Sequence, residues 1–433
     1  MEIIPDIRKL KPSATLAINE LVIKKRERGE KIYHMGFGES PFPVQERVKK
    51  ALCQNADKKY YAPTQGYISL RKQIVLFYKE VLNLKFKAKQ VIVALGSKSL
   101  IFHSISALDG SLLLPTPSWV SYQHQAYLTH KKVIYIQTSP QSSYLLTPSL
   151  LLASIEKTHL DLSRQKILLL NYPCNPTGQS YSKKQLQDLV PILRKNNIIV
   201  ISDEIYSLIS YNNQRHHSIA EFYPEGTIIT GGFSKDRSLG GYRLGVLLLP
   251  KRNDDVKRSI LSIISEIWSS ASSPIQYAAI EAYRPDEEML GHIGTCTRIH
   301  QMVTNYVYER LKGAGISCLP PKGGFYLFPD WNDKKRALEK LKITTSKKLA
   351  KFLLKNYNVA TLPGSEFGLP RKHLSLRLST VDYDGRLVLD EFKQKSLDID
   401  KNKVDFIHKF APNLVEACDL LTEFTVSLVS DDG

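Results

Sequence analysis

What the chain lacks narrows its class before any motif is read. Its five cysteines, Cys53, Cys174, Cys296, Cys318 and Cys418, are scattered, odd in number and without a CxxC pair. That argues against a disulfide framework and against a cysteine zinc site. No apolar run approaches the roughly 18 residues of a membrane span, and the opening MEIIPDIRKL puts no long apolar segment behind a basic one. The expectation is a soluble protein of a reducing compartment, the cytoplasm, with no membrane partner. No internal repeat, low-complexity linker or GxxxxGK[ST] phosphate loop is found. Acidic residues are in deficit: 60 Lys and Arg stand against 42 Asp and Glu, for a net charge of +18. The basic residues are nevertheless spread in short groups, such as Lys24 to Arg28 and Lys347 with Lys348. They read as solvated surface rather than a nucleic-acid interface, and their field would draw in acidic substrates.

What is present is a long, ordinary globular chain. With 433 residues it exceeds the usual limit of one core, about 250 to 300 residues, so two domains are expected. Seven strand-like runs recur between helical segments: VIVAL (91–95), SLLLP (111–115), VIYIQ (133–137), KILLL (166–170), NIIVIS (197–202), TIITG (227–231) and LGVLLLP (244–250). This alternation predicts an α/β fold, a mainly parallel seven-stranded sheet between helices, over residues 46–290. Residues 1–45 and 291–433 are expected to form a smaller α+β domain built from both chain ends. Helices are predicted over Ser13 to Arg28, Ser69 to Val81 and Ser182 to Lys195, the last kinked at Pro191. A helical pattern also covers residues 265–310. Further on come a strand at GGFYLFPDW, a helix near Ser346 to Asn356, an extended LSLRLST and a final helix from about Lys403 to Val426.

The residues suited to chemistry fall just past the carboxyl ends of the strand runs: Ser97 after VIVAL, Asn171 and Asn175 after KILLL, Asp203 and Tyr206 after NIIVIS, Lys235 after TIITG. In open α/β sheets ligands bind at that edge. Gly96 and Ser97 put free backbone N–H groups at a helix start, where a phosphate is well received. The stretch GGFSKDRSLGGYRLG exposes Lys235 beyond a buried strand and adds a fixed charge at Arg243. A lysine so placed can hold a carbonyl cofactor as a Schiff base, and an arginine can face its phosphate. Each residue also has a plainer reading: Asp203 a helix N-cap, Trp119 a core aromatic, Asn175 a turn former, Arg377 one side of a structural ion pair.

Together, NYPCNPTG (171–178), SDEIY (202–206), FSK with GYRLG (233–245) and LRLS (376–379), in this order and spacing, resemble the fold-type I, class I and II aminotransferases, which use pyridoxal 5'-phosphate. The resemblance spans residues 14 to 379. It implies that Lys235 forms the Schiff base and moves the substrate proton. Asp203 would hold the pyridine nitrogen protonated, while Asn175 and Tyr206 would donate to the phenolate oxygen. Arg243, with backbone amides at Ser97 and Lys98, would take the phosphate. Trp119 would stack on the ring, and Tyr61 would reach the phosphate of the other subunit of a homodimer with shared active sites. Gly38, Asn175 and Arg377 would bind the carboxylate of amino-acid and 2-oxo-acid substrates. The implied reaction is transamination, with a β-eliminating lyase on the same fold as the alternative. A non-catalytic binding protein is expected to lack Lys235, Asp203 or Arg243, and all three are present. The chain departs from the family at Gly232, where a phosphate-binding serine is common, and at Arg237, read either as a substrate contact or as surface. Cys174 reads as packing.

Overall fold

A computed structural model describes residues 12–158, 164–251, 253–399 and 402–430. The opening MEIIPDIRKL lies outside the described residues.

Seven strands form one sheet: β1 (Val91–Ala94), β2 (Ser111–Thr116), β3 (Val133–Gln137), β4 (Lys166–Asn171), β5 (Ile198–Asp203), β6 (Thr227–Gly232) and β7 (Gly245–Leu248). Their spatial order is β1-β7-β6-β5-β4-β2-β3. From β6 to β3 all pairings are parallel, and β7 runs antiparallel to both neighbours. The apolar runs of β4 and β5 contain almost no alternation because helices cover both faces, so residues pointing either way are buried. The register sets Asn171 opposite Asp203 and Asp203 opposite Thr230. Three chemical segments thereby leave the sheet at one edge.

Outside this sheet the two ends of the described chain meet. Tyr33–His34 pairs in parallel with Val359–Ala360, and Leu376–Ser379 lies between Leu362–Pro363 and Tyr326–Leu327 in an antiparallel trio. One apolar core holds Tyr33 and Met35 together with Phe424 and Leu428. This second assembly carries Arg377 to the rim of the first.

Two helical readings are corrected. The final helix is two helices, Lys403–Phe410 and Pro412–Ser430, because Pro412 has no N–H to continue the first and can only open the second. The helical stretch over 265–310 is parts of three helices, Asp254–Ile267, Ser273–Ala282 and Glu287–Gly313. Pro274 opens the second and Asp286 caps the third, its carboxylate accepting from the Met289 N–H. The helix Lys183–Lys195 runs through Pro191, which lies on its exposed side. Among the described residues no helix is long and apolar enough to cross a membrane.

Candidate active site

A cavity of about 450 Å³ opens between the carboxyl edge of the sheet and the second assembly. The candidate catalytic, cofactor-binding and substrate-binding residues named from the sequence all line it except Tyr61, which is 89% exposed and stands outside. A larger hollow of about 590 Å³, flanked by Tyr144, Phe328 and Asp330, gathers no comparable set of groups.

Asp203 ends β5 and is 3% exposed. Tyr122 Oη donates to one carboxylate oxygen at 2.7 Å and the Ile205 N–H reaches the other at 3.4 Å. Burial drives the carboxyl up to about 6, although these donors pull it back. Lys235 follows β6, and its Nζ donates to the Gly38 carbonyl at 2.7 Å. Burial lowers its ammonium to about 8; Glu39 works against that shift, while Arg377 and Arg243 add to it. The cleft thus makes its lysine easier to deprotonate and its aspartate easier to protonate than in water.

Glycines set how closely the backbone comes together. A Cβ at Gly245 would collide with the Ser97 nitrogen, and one at Gly96 would sit 2.6 Å from an Arg243 guanidinium nitrogen. Gly96 precedes the helix Ser97–Ala107 with φ 82° and gives it no side-chain cap, so the first N–H groups stay available. Arg243 itself has φ 52°, a conformation that an arginine keeps only where its surroundings hold it. The result is a small pocket of backbone N–H groups beside a guanidinium. Lys98, expected to act through its backbone, also places its ammonium 5.5 Å from the Trp119 ring, and burial lowers its pKa. A Cβ at Gly232 would stand 3.1 Å from the Leu244 carbonyl, and in the stretch leading to Lys235 it is Ser234 that lines the cavity.

Arg377 is 1% exposed, with its guanidinium 4.8 Å from the Tyr326 ring and 5.5 Å from that of Phe367. It donates to the Gly36 carbonyl and, at 3.4 Å, to Asn175 Oδ1, while its Nε has no partner. No carboxylate pairs with it among the described residues. The plainer reading of Arg377 as half of a structural ion pair is therefore set aside. Asn175 is fixed in turn by its N–H on Asn171 Oδ1, and Asn171 Nδ2 donates to the Asp203 carbonyl.

Two site residues escaped the sequence reading. Tyr326 Oη lies 2.9 Å from Tyr206 Oη, and a Cβ at Gly38 would collide with it; within GGFYLF it registered only as strand. Tyr122 closes PTPSWVSY three residues after Trp119, in the first turn of the helix Ser121–Leu128, and that closeness in sequence was its only signal. Arg237 corrects an expectation: it is neither surface nor in the cavity, being 3% exposed between Phe77 and Tyr283. Cys174 is buried, with its thiol pKa raised by that burial.

The sequence pattern of aminotransferase class I and II matches residues 30–384. The aspartate aminotransferase of Geobacillus stearothermophilus is 30% identical over 419 residues, 95% of this chain and 99% of that one. Solved structures of aminotransferases share the fold. An aspartate aminotransferase of Thermus thermophilus with maleate is 23% identical, with TM-score 0.82 over 98% of this chain and 99% of that one. An aromatic aminotransferase of Pyrococcus horikoshii is 27% identical, with TM-score 0.77 over 96% and 99%. With that match over most of its length, this chain belongs to the class I and II aminotransferases and is an amino-group-transferring enzyme.

Proposed function

We propose that the chain is a pyridoxal-phosphate-dependent transaminase that moves an amino group between an α-amino acid and a 2-oxo acid. The observation that carries this is Lys235 and a carboxylate-free Arg377 facing one cavity with Asp203 at its floor. The residues suit that cofactor. Ser97, Lys98 and Arg243 offer phosphate donors, Trp119 a flat face, Asp203 an acid for a ring nitrogen, and Lys235 an amine for an aldehyde. When bound, the cofactor withdraws electrons from the substrate carbon. Lys235 Nζ takes the proton from the substrate Cα, a task suited to an amine near 8. Arg377 holds the α-carboxylate, its planar fork matching two oxygens, with Asn175 and Gly38 beside it. Tyr206 and Asn175 would donate to the cofactor's phenolate oxygen, and Asp203 would keep its ring nitrogen protonated.

Relatives named for amino-group transfer favour this reading over elimination, and aspartate is the first donor to test. Borohydride reduction after incubation with pyridoxal phosphate, followed by peptide mass analysis, places the pyridoxyl group on Lys235. Amino donors then shift the cofactor spectrum and give a new amino acid. A label on another lysine, or ammonia with pyruvate as products, overturns the proposal.

We take the active form to be a cytoplasmic homodimer in which the exposed Tyr61 reaches the neighbouring subunit's phosphate site. Residues 46–290 are taken as the cofactor domain, with the small domain drawn from both chain ends. Mixing Tyr61→Ala chains with Lys235→Ala chains restores part of the activity through heterodimers. A fully active monomer contradicts it.

A further inference from the structure

Lys235 is followed by two charged residues that the chemistry above does not use. Asp236 and Arg237 are 5% and 3% exposed, turned away from the cavity into the large sheet's flank. Arg237 lies between two rings, 4.5 Å from the centre of Phe77 and 4.6 Å from that of Tyr283. Phe77 belongs to the helix Ile68–Leu82, and Tyr283 follows the helix Ser273–Ala282. Asp236 is its ion partner at 3.7 Å, and the other carboxylate oxygen, Oδ1, has no hydrogen-bond partner. Tyr78 and Tyr283 lie within electrostatic reach of the pair. Burying two charges is expensive and adds little stability over well-packed apolar side chains, so their presence beside Lys235 calls for another benefit.

The loop they occupy needs holding. Ser238 and Arg243 both have positive φ, 57° and 52°, and such conformations persist only where the surroundings determine them. Ser238 Oγ bonds to Ser40 Oγ at 2.6 Å, and the Leu239 N–H returns to the Phe233 carbonyl at 3.2 Å. These contacts fix the far part of the loop. Next to Lys235, the loop side chains that tie it down are Asp236 and Arg237.

We infer that Asp236 and Arg237 are a positioning couple: the guanidinium clamps the turn just beyond Lys235 between two helices, and the carboxylate supplies the counter-charge that keeps it there, so that Lys235 Nζ is aimed into the cleft. The inference rests on the functional reading of Lys235, and its test separates the two. The first readout is competitive acetic anhydride labelling of Lys235 in cofactor-free protein, followed by peptide mass analysis; the second is kcat and KM of the holoenzyme. Asp236→Ala labels about fivefold or more faster, because the released amine leaves the Gly38 carbonyl, and kcat falls about tenfold or more with KM within about threefold. Asp236→Asn keeps the side chain's shape but removes the charge that holds Arg237, and shows both changes. If Asp236→Ala does not fold, Asp236→Ala with Arg237→Leu removes both charges together and shows the same two changes at a parent-like unfolding midpoint. Parent-like labelling and kcat in the alanine variant, or in its double replacement, overturn the inference. So does an asparagine variant that stays parent-like on both. A parent protein that forms no reducible adduct with pyridoxal phosphate defeats the functional proposal instead, while the labelling still reads the couple.

Discussion

Arg377 and Arg237 are buried in the same way and used differently. Each guanidinium lies against two aromatic rings, Tyr326 and Phe367 for the first, Phe77 and Tyr283 for the second. Each keeps at least one nitrogen without a partner. Arg237 has its carboxylate, Asp236, inside the protein. Arg377 has only the Asn175 side chain and the Gly36 carbonyl, and it faces a cavity. Rings can therefore shelter a cation in the core, while its counter-charge either comes from the chain or is left to a ligand.

Breaking the closed case has the largest expected effect. Arg237→Ala leaves Asp236 buried without its cation and opens a gap between the rings, at about 3 to 5 kcal/mol of stability. Urea unfolding measures this, and a loss under about 1 kcal/mol refutes the comparison. Removing the open case costs catalysis instead. Arg377→Ala lowers kcat/KM by about 2 to 5 kcal/mol in transition-state terms, roughly thirtyfold to a few thousandfold. Lysine recovers part of it, since a point charge cannot form the two-bond fork. Stability holds or rises, because no internal carboxylate is stranded. Near-normal kcat/KM for every donor would make Arg377 structural.

A smaller, pH-dependent difference sharpens the contrast. Burial raises the Asp236 carboxyl to about 6, with Arg237 pulling against it. A carboxyl raised in the folded state binds its proton more readily there than in the unfolded chain. It therefore adds stability as pH falls from about 6 toward the unfolded value near 4 and withdraws it as pH rises again. Unfolding free energies of the parent minus Asp236→Asn should grow by roughly 2 to 3 kcal/mol across that window. Arg377, with no carboxylate partner, gives its Gln variant no such slope. A flat difference for Asp236 counts against its burial as a charged pair.

How much was legible in advance follows from the reach of each interaction. Strand positions, and with them the edge carrying Asp203 and Lys235, were readable because buried parallel strands need continuous apolar runs and the chemical residues come next along the chain. The break at Pro412 also had a local cause, and the single-helix reading passed over it. Tyr122 and Tyr326 were not legible as site residues. A tyrosine's hydroxyl finds its partner through folding, and Asp203 and Tyr206 are 81 and 120 residues away from theirs. Arg237 was misread for the same reason: nothing within DRSLGG reveals that Phe77 and Tyr283 will close over it.

By itself the sequence determined the family, the sheet and the identity of the lysine, aspartate and arginines available for chemistry. Periodicity and short motifs are properties of neighbouring residues, and they survive without coordinates. The tertiary structure alone decided which arginine meets an internal carboxylate and which faces the cleft. It also decided how far burial moves Lys235 and Asp203 toward each other's proton affinity. Desolvation and charge pairing depend on what lies within a few ångströms, and segments far apart in the chain, such as those of Glu39, Tyr122 and Arg377, supply several of those neighbours.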